Sequence, residues 1–291
     1  MSAEPAPLVT AVSPWVARRR RAEALRARHP FAAELMTLYL ALLPAQEDTW
    51  AAARNHAPAP DELPRWAAGG VLPAVVDAAV LAGPAALAEA ASGRLGTYAA
   101  ERALAGWLAG AELEPVDRFL GRATLAPVLE ALGERAGAAC GPERPGEEGE
   151  RCPRCGGLPQ LSIIASSGEE LVSGPRSLLC SRCGSDWKFS RSTCPACGER
   201  EEDRLLVYAE ELSGAVSGPG ANGNGGVPAQ PPVFPHLRVA GCSTCSRYLI
   251  EVDMARDARA VPEVDELTAL PLDLHAADEG LTKVTPNLMG F

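Results

Sequence analysis

The chain has 291 residues and a formal net charge of −10, with 47% apolar and 22% charged residues, the composition of ordinary globular protein and enough for about two domains. No uncharged apolar stretch of ~18 residues occurs, so no membrane insertion is expected, and an acidic chain is a poor default binder of nucleic acid. Nine cysteines are too dilute for a disulfide-stapled secreted scaffold.

Residues 1–12 carry little hydrophobic pattern and are expected to be loose. At Ser13-Pro14 a helix begins, with Ser as cap and Pro in the first turn. Arg18, Arg19, Arg20 and Arg21 precede an apolar run from Phe31 to Leu43. Glu34 interrupts that run and no small-x-small site follows it, so it does not read as an export signal. The four arginines read as a solvated helix face, and the cytoplasm is the expected compartment. Pro30 breaks the first helix, and a second places Phe31, Leu35, Leu38, Tyr39 and Leu42 on one face. Further helices are predicted at Val71–Leu81, Ala85–Ala91, Tyr98–Leu108 and Pro115–Ala138, with Gly69-Gly70, Gly83-Pro84 and Gly93 as breaks. Residues 13–139 thus read as an α-helical domain whose leucine and aromatic stripes are core.

A Gly/Glu/Pro-rich stretch at 140–150 reads as a linker. Beyond it the period changes from helical to two, at Leu161 and Ile163 and again at Trp187 and Phe189. Residues 213–235 hold hardly a bulky side chain and read as a flexible insertion. Helical spacing returns from Pro262 to Gly280 through Leu267, Leu270 and Leu274, with Pro271 expected to kink or interrupt it.

Eight of the nine cysteines form four Cys-x-x-Cys pairs: Cys152/Cys155, Cys180/Cys183, Cys194/Cys197 and Cys242/Cys245. Gly156, Gly184 and Gly198 follow three of them, as suits a metal knuckle whose turn needs positive φ. Two knuckles make one tetrahedral four-thiolate site, so four make two. Twenty-four residues separate Cys155 from Cys180, forty-four separate Cys197 from Cys242, and ten separate Cys183 from Cys194. These spacings favour sequential pairing, with an interleaved arrangement as the alternative. A four-sulfur tetrahedron suits zinc or iron alike. Loaded with two divalent ions, the chain would move from −10 to about −14, because the thiolates bind deprotonated.

The plainest reading of the knuckles is structural: metal binding energy is folding energy in a lobe with little core. Replacing Cys180 and Cys183 by serine is therefore expected to unfold the lobe and leave the helices folded. A redox dithiol fits less well, since that motif usually stands alone beside a βαβ unit. Residues 151–212 hold 8 basic and 9 acidic groups, which gives no basic stripe for a zinc-ribbon module on nucleic acid. Cys140 stands outside the pairs and reads as a buried thiol. His29, His56, His236 and His275 show no ligand spacing and no evident acidic partner, and no catalytic constellation is evident.

The runs Cys152-Pro153-Arg154-Cys155-Gly156-Gly157-Leu158-Pro159 and Arg176-Ser177-Leu178-Leu179-Cys180-Ser181-Arg182-Cys183 carry a resemblance to a known family. So do Trp187, Arg191, Cys194-Pro195-Ala196-Cys197-Gly198, Cys242-Ser243-Thr244-Cys245-Ser246-Arg247-Tyr248-Leu249 and the ending Pro286-Asn287-Leu288-Met289-Gly290-Phe291. Over about residues 120–291 the chain resembles the formate dehydrogenase accessory protein FdhE family. The stretch Val264-Asp265-Glu266 departs from the paired aspartates that family favours, and the 213–235 insertion is unusual for it. The resemblance implies a non-catalytic, cytoplasmic assembly factor that binds the catalytic subunit of formate dehydrogenase. It implies an α+β architecture: a helical domain, then a rubredoxin- or zinc-ribbon-like β lobe over 151–291 with two four-cysteine metal sites and a C-terminal helix. The eight paired cysteines would be the ligands of two ions, iron by resemblance and zinc by chemistry alone. Trp187 and Arg191 are secondary candidates for contacting the client, although packing beneath the metal turn is the plainer role for Trp187. A rubredoxin-like electron carrier is the competing reading.

Overall fold

The computed structural model describes residues 13–140, 149–166, 174–210 and 232–291. The expected loose N-terminus, most of the 140–150 linker and the insertion up to residue 231 lie outside the described residues.

The first half is helical throughout. The helix from Ser13-Pro14 is α1 (Pro14–Arg28); Pro30 ends it in a 3-10 turn, and α2 (Ala33–Asn55) follows. Then come α3 (Leu63–Gly70), α4 (Leu72–Ala82), α5 (Ala85–Ser92), α6 (Tyr98–Ala109), α7 (Pro115–Leu132) and the single turn α8 (Ala136–Ala139). Helix α6 shows how local sequence sets the limits. Thr97 Oγ1 accepts from the Ala100 amide at its start, and Gly110 takes a left-handed φ of 74° at its end. Sequence reading missed α3, because Gly69-Gly70 read as a break; buried Leu63 and Ala67 hold it in place, and packing overrides propensity.

Two further expectations are corrected. Phe31 sits in the 3-10 turn, half exposed, against His29 and Phe234 rather than on the buried face of α2. The four arginines are only in part a solvated face: Arg20 is exposed and Arg19 half-buried, whereas Arg18 and Arg21 turn inward. Arg21 is buried, and Arg18 bridges Glu130 and Glu263 at 3.0 and 2.8 Å. Arginine's long stem and planar fork let it span an interior seam that its charge alone would forbid.

The second half is one sheet. Its strands are β1 (Pro159–Ile164), β2 (Arg176–Cys180), β3 (Asp186–Lys188), β4 (Leu205–Ala209), β5 (Leu237–Cys242), β6 (Arg247–Asp253) and β7 (Thr282–Lys283). They run in the order β3-β2-β1-β6-β5-β4, with β7 against β6. This is a duplicated unit: a knuckle, two antiparallel strands, a second knuckle at the next hairpin, and a third strand. Cys180 closes β2 and Cys242 closes β5, so both hairpin knuckles fall at the same place in their unit. The units join where β1 pairs in parallel with β6, Leu161 opposite Ile250.

After the sheet come α9 (Pro262–Asp265), a 3-10 turn and α10 (Leu270–Asp278), the last helices among the described residues, with Pro271 in the first turn of α10. Pro271 separates the last two helices rather than kinking one, as a residue without an amide hydrogen does best. Leu288 and Met289 near the C-terminus pack against two clusters of the helical core. Among the described residues no single helix is long and apolar enough to cross a membrane. The pair α3 and α4, bent by 46°, passes together on length and composition, but its Ala67, Leu72, Val75, Val76 and Ala79 are buried in the helical core.

Candidate metal centres

Each knuckle is a turn that aims two sulfurs inward. In the first, the Gly156 amide donates to the Cys152 carbonyl at 2.9 Å; in the third, Gly198 does the same to Cys194 at 3.0 Å. Amides also point at sulfur: Arg182 to Cys180 Sγ and Ala196 to Cys194 Sγ, both at 3.4 Å. The residues after the knuckles take positive φ: Gly156 71°, Gly184 66°, Gly198 76° and, in the fourth, Ser246 54°. Ser246 is the one non-glycine with positive φ among the described residues, held there because its knuckle repeats the geometry of the other three.

The eight cysteines gather as sequential pairing expects. Cys152, Cys155, Cys180 and Cys183 form one quartet and Cys194, Cys197, Cys242 and Cys245 the other, each with its sulfurs within 4.8 Å of one another. In the first quartet Cys152–Cys183 is 3.7 Å and Cys155–Cys180 3.4 Å; in the second Cys194–Cys245 and Cys197–Cys242 are both 3.8 Å. Ligands at ~2.3 Å in a tetrahedron stand ~3.8 Å apart, so each quartet could hold a metal ion.

The two differ in their surroundings. All four cysteines of the first quartet are buried, in the same apolar cluster as Leu104, Trp107, Leu125, Val128 and Leu129 of α6 and α7. In the second, Cys197 is exposed and Cys245 half-buried. Hydrogen bonds to Cys140 and Cys152, with burial, hold the Cys155 thiol up at about 11. Burial, then a hydrogen bond with Cys197, pushes Cys245 up to about 11. Cys152 is instead held down by hydrogen bonds with Cys155, Cys180 and Cys183, and Cys242, despite its burial, by the Cys245 and Thr244 amides, so each quartet has one thiol that ionises readily and another that resists until a cation joins it.

The structure adds neighbours that the spacing did not reveal. Ser185 Oγ lies 3.2 Å from Cys152 Sγ and 3.0 Å from Cys183 Sγ, a hydroxyl positioned to donate to thiolate. The Gly184-Ser185 turn carried that signal. Cys140 is buried against the first quartet. Trp187 packs on the same cluster and donates from Nε1 to the Gly149 carbonyl at 2.7 Å, while Arg191 is exposed and donates to the Gly174 carbonyl at 3.1 Å. His236 does have an acidic partner, contrary to expectation: its Nε2 is 2.7 Å from Asp265 Oδ1, both buried. Twenty-nine residues separate them along the chain, a distance at which spacing is silent.

Residues 151–191 match the family described as FdhE, central domain. The chain is 30% identical over 141 residues to "Protein FdhE homolog" of Aquifex aeolicus, covering 48% of this chain and 41% of that one. It is 32% identical over 138 residues to the Pseudomonas aeruginosa protein of the same name, covering 47% and 38%. The matched stretch therefore spans about two fifths of these relatives. The crystal structure of the FdhE protein from Pseudomonas aeruginosa superposes with a TM-score of 0.61 over 94% of each chain at 23% identity, which shows the shared fold.

Proposed function

We propose, from the match of residues 151–191 to the FdhE central domain and the likeness to FdhE homologues, that the chain is an FdhE-type protein: a non-catalytic, cytoplasmic accessory factor for formate dehydrogenase maturation that binds the immature catalytic subunit. The observation that carries this reading is the pair of quartets on a duplicated frame. In our reading the eight cysteines hold two ions, iron by family resemblance, and the ions stiffen the turns around them. A stiff, preorganised surface loses less entropy on binding, which suits a factor that must tell immature from mature client by differential affinity. A bound iron would also supply a one-electron couple. The exposure of Cys197 favours a second reading in which the outer quartet exchanges electrons with the client.

The test is a deletion strain carrying each quartet with all four cysteines changed to serine. Formate oxidation should be lost with either quartet while the client is still synthesised. Full activity with both quartets removed would overturn the reading. Loss of activity restored by a zinc-loaded protein would remove the electron-exchange version and keep the accessory role.

A further inference from the structure

A groove of about 1080 Å³ opens on the helical half, away from both quartets. It is walled by the Phe31 turn and the start of α2, by the end of α4 and α5 from Leu81 to Ala90, by the first turns of α7 and by the tail from Asn287 to Phe291. Its lining is mostly apolar, with Leu38, Leu87 and Phe119 among the larger side chains.

Three large apolar residues of that lining, Phe31, Leu81 and Phe291, are exposed, Leu81 at 83%. One exposed apolar side chain is ordinary, but three around a single groove mark an interaction surface. A small ligand would cover the floor and leave these three in water, and the volume already stands at the upper end of the ~300–1,000 Å³ of small-molecule sites. A helix about 10–12 Å across, sunk to half its depth, fills such a volume over roughly four turns.

The charges of the groove say what that helix must carry. Arg118 on α7 and Glu34 on α2 both line it, and neither side chain makes a hydrogen bond or ion pair among the described residues, with the other or with a third group. Arg122, also in the lining, already donates to the Pro286 carbonyl and to Gln160 Oε1. A fatty-acid-type anion would answer Arg118 and leave Glu34 facing its tail. A helix with an apolar stripe, a carboxylate on one flank and a cation on the other answers both.

We infer that this groove receives an amphipathic helix of the client's catalytic subunit, with a carboxylate at Arg118 and a basic side chain at Glu34. The assignment rests on the accessory role proposed above. It adds a second contact, made by helices, to the surface stiffened by the quartets, and stable binding needs both.

The experiment uses the full-length, metal-loaded protein and the purified, cofactor-free catalytic subunit. Benzoylphenylalanine placed at Leu81 should crosslink on illumination. Mass spectrometry of the product should find one client segment with apolar residues at i, i+3, i+4 and i+7, flanked by an acidic and a basic residue. Leu81→Glu should weaken binding at least tenfold and Arg118→Glu severalfold, with metal content and helicity as in the parent. Lysine in place of the segment's acidic residue should restore affinity for the Arg118→Glu protein. The assignment is overturned, with the accessory role intact, if the subunit binds but no crosslink forms, if the crosslinked segment lacks the amphipathic pattern, or if both variants bind as the parent does. If the subunit does not bind the parent protein at all, the proposed function falls and the assignment of the groove falls with it.

Discussion

Arg21 and Asp265, 244 residues apart, form a buried forked pair: Arg21 Nε donates to Oδ2 at 2.9 Å and to Oδ1 at 3.0 Å, and its Nη2 reaches Oδ1 as well. Asp265 is fully buried and also meets His236 at 2.7 Å and the Val261 amide at 2.7 Å, while Arg21 Nη2 continues to Asp257 at 2.8 Å. The acidic stretch Asp265-Glu266 is therefore turned inward, and Asp265 is the internal bolt between α1 and the cysteine lobe. The next residue, Glu266, is equally buried, 2.8 Å from Lys283. Neither carboxylate is available to a partner at the surface.

Asp265→Asn should cost about 3–5 kcal/mol, the penalty for stranding a buried charge. Urea unfolding of the metal-loaded protein measures it. A change below about 1 kcal/mol would mean that Asp257 alone satisfies Arg21.

Cys180→Ser with Cys183→Ser should unfold the helices together with the lobe. The sequence suggested that the helices would survive, but the first quartet shares one apolar cluster with α6 and α7, so its loss opens the helical core. Far-ultraviolet circular dichroism should show most helicity lost at a temperature where the parent is folded. The matching change at Cys197 and Cys245, on the exposed side of the second quartet, should leave helicity near the parent value. Equal loss in both variants would contradict the asymmetry.

Ser246→Gly should stabilise the protein by up to about 1 kcal/mol. An L-residue in the left-handed region carries a cost of ~1–2 kcal/mol that glycine avoids, less glycine's greater entropy loss. Ser246 holds φ 54° where the other three knuckles have glycine. The melting temperature reads it out; a lower value would show that the serine hydroxyl matters more than the backbone.

Much of this was legible in the residues. The period change near residue 150, the proline and glycine punctuation and the knuckle glycines each act over a few residues, so they can be read locally. Sequential pairing was favoured over an interleaved one because 24 residues between Cys155 and Cys180 suit a hairpin and the ten between Cys183 and Cys194 suit a link between sites. What escaped was long-range. Arg18 and Arg21 look like solvent-facing charges in α1, and nothing within ten residues announces Glu130, Glu263 or Asp265 as their partners. His236 escaped for the same reason, and α3 because two glycines are tolerated where Leu63 and Ala67 are buried. The parallel β1–β6 pairing that fuses the two units carries no local signature either, since the strands lie almost ninety residues apart.

Acid should release the second ion before the first. Thiols must lose their protons to bind metal, and those of Cys155 and Cys245, held up to about 11 in the absence of an ion, gain protons and lose ions as pH falls. Both quartets obey that sign, but Cys197 is open to solvent and the first quartet is not. Indicator-monitored release during acid titration or chelation should be biphasic, one ion fast and one slow. Release in a single phase would contradict the difference in burial.

Under the proposed function, a surface stiffened by the two quartets would recognise the immature catalytic subunit of a formate dehydrogenase. It is tested most directly by measuring the affinity of the purified, metal-loaded protein for that subunit, comparing cofactor-free and mature forms. Binding to the cofactor-free form should be at least tenfold tighter than to the mature form, and that preference should be lost when the ions are removed by chelation. Equal affinity for both forms, or binding that survives removal of both ions, would contradict it.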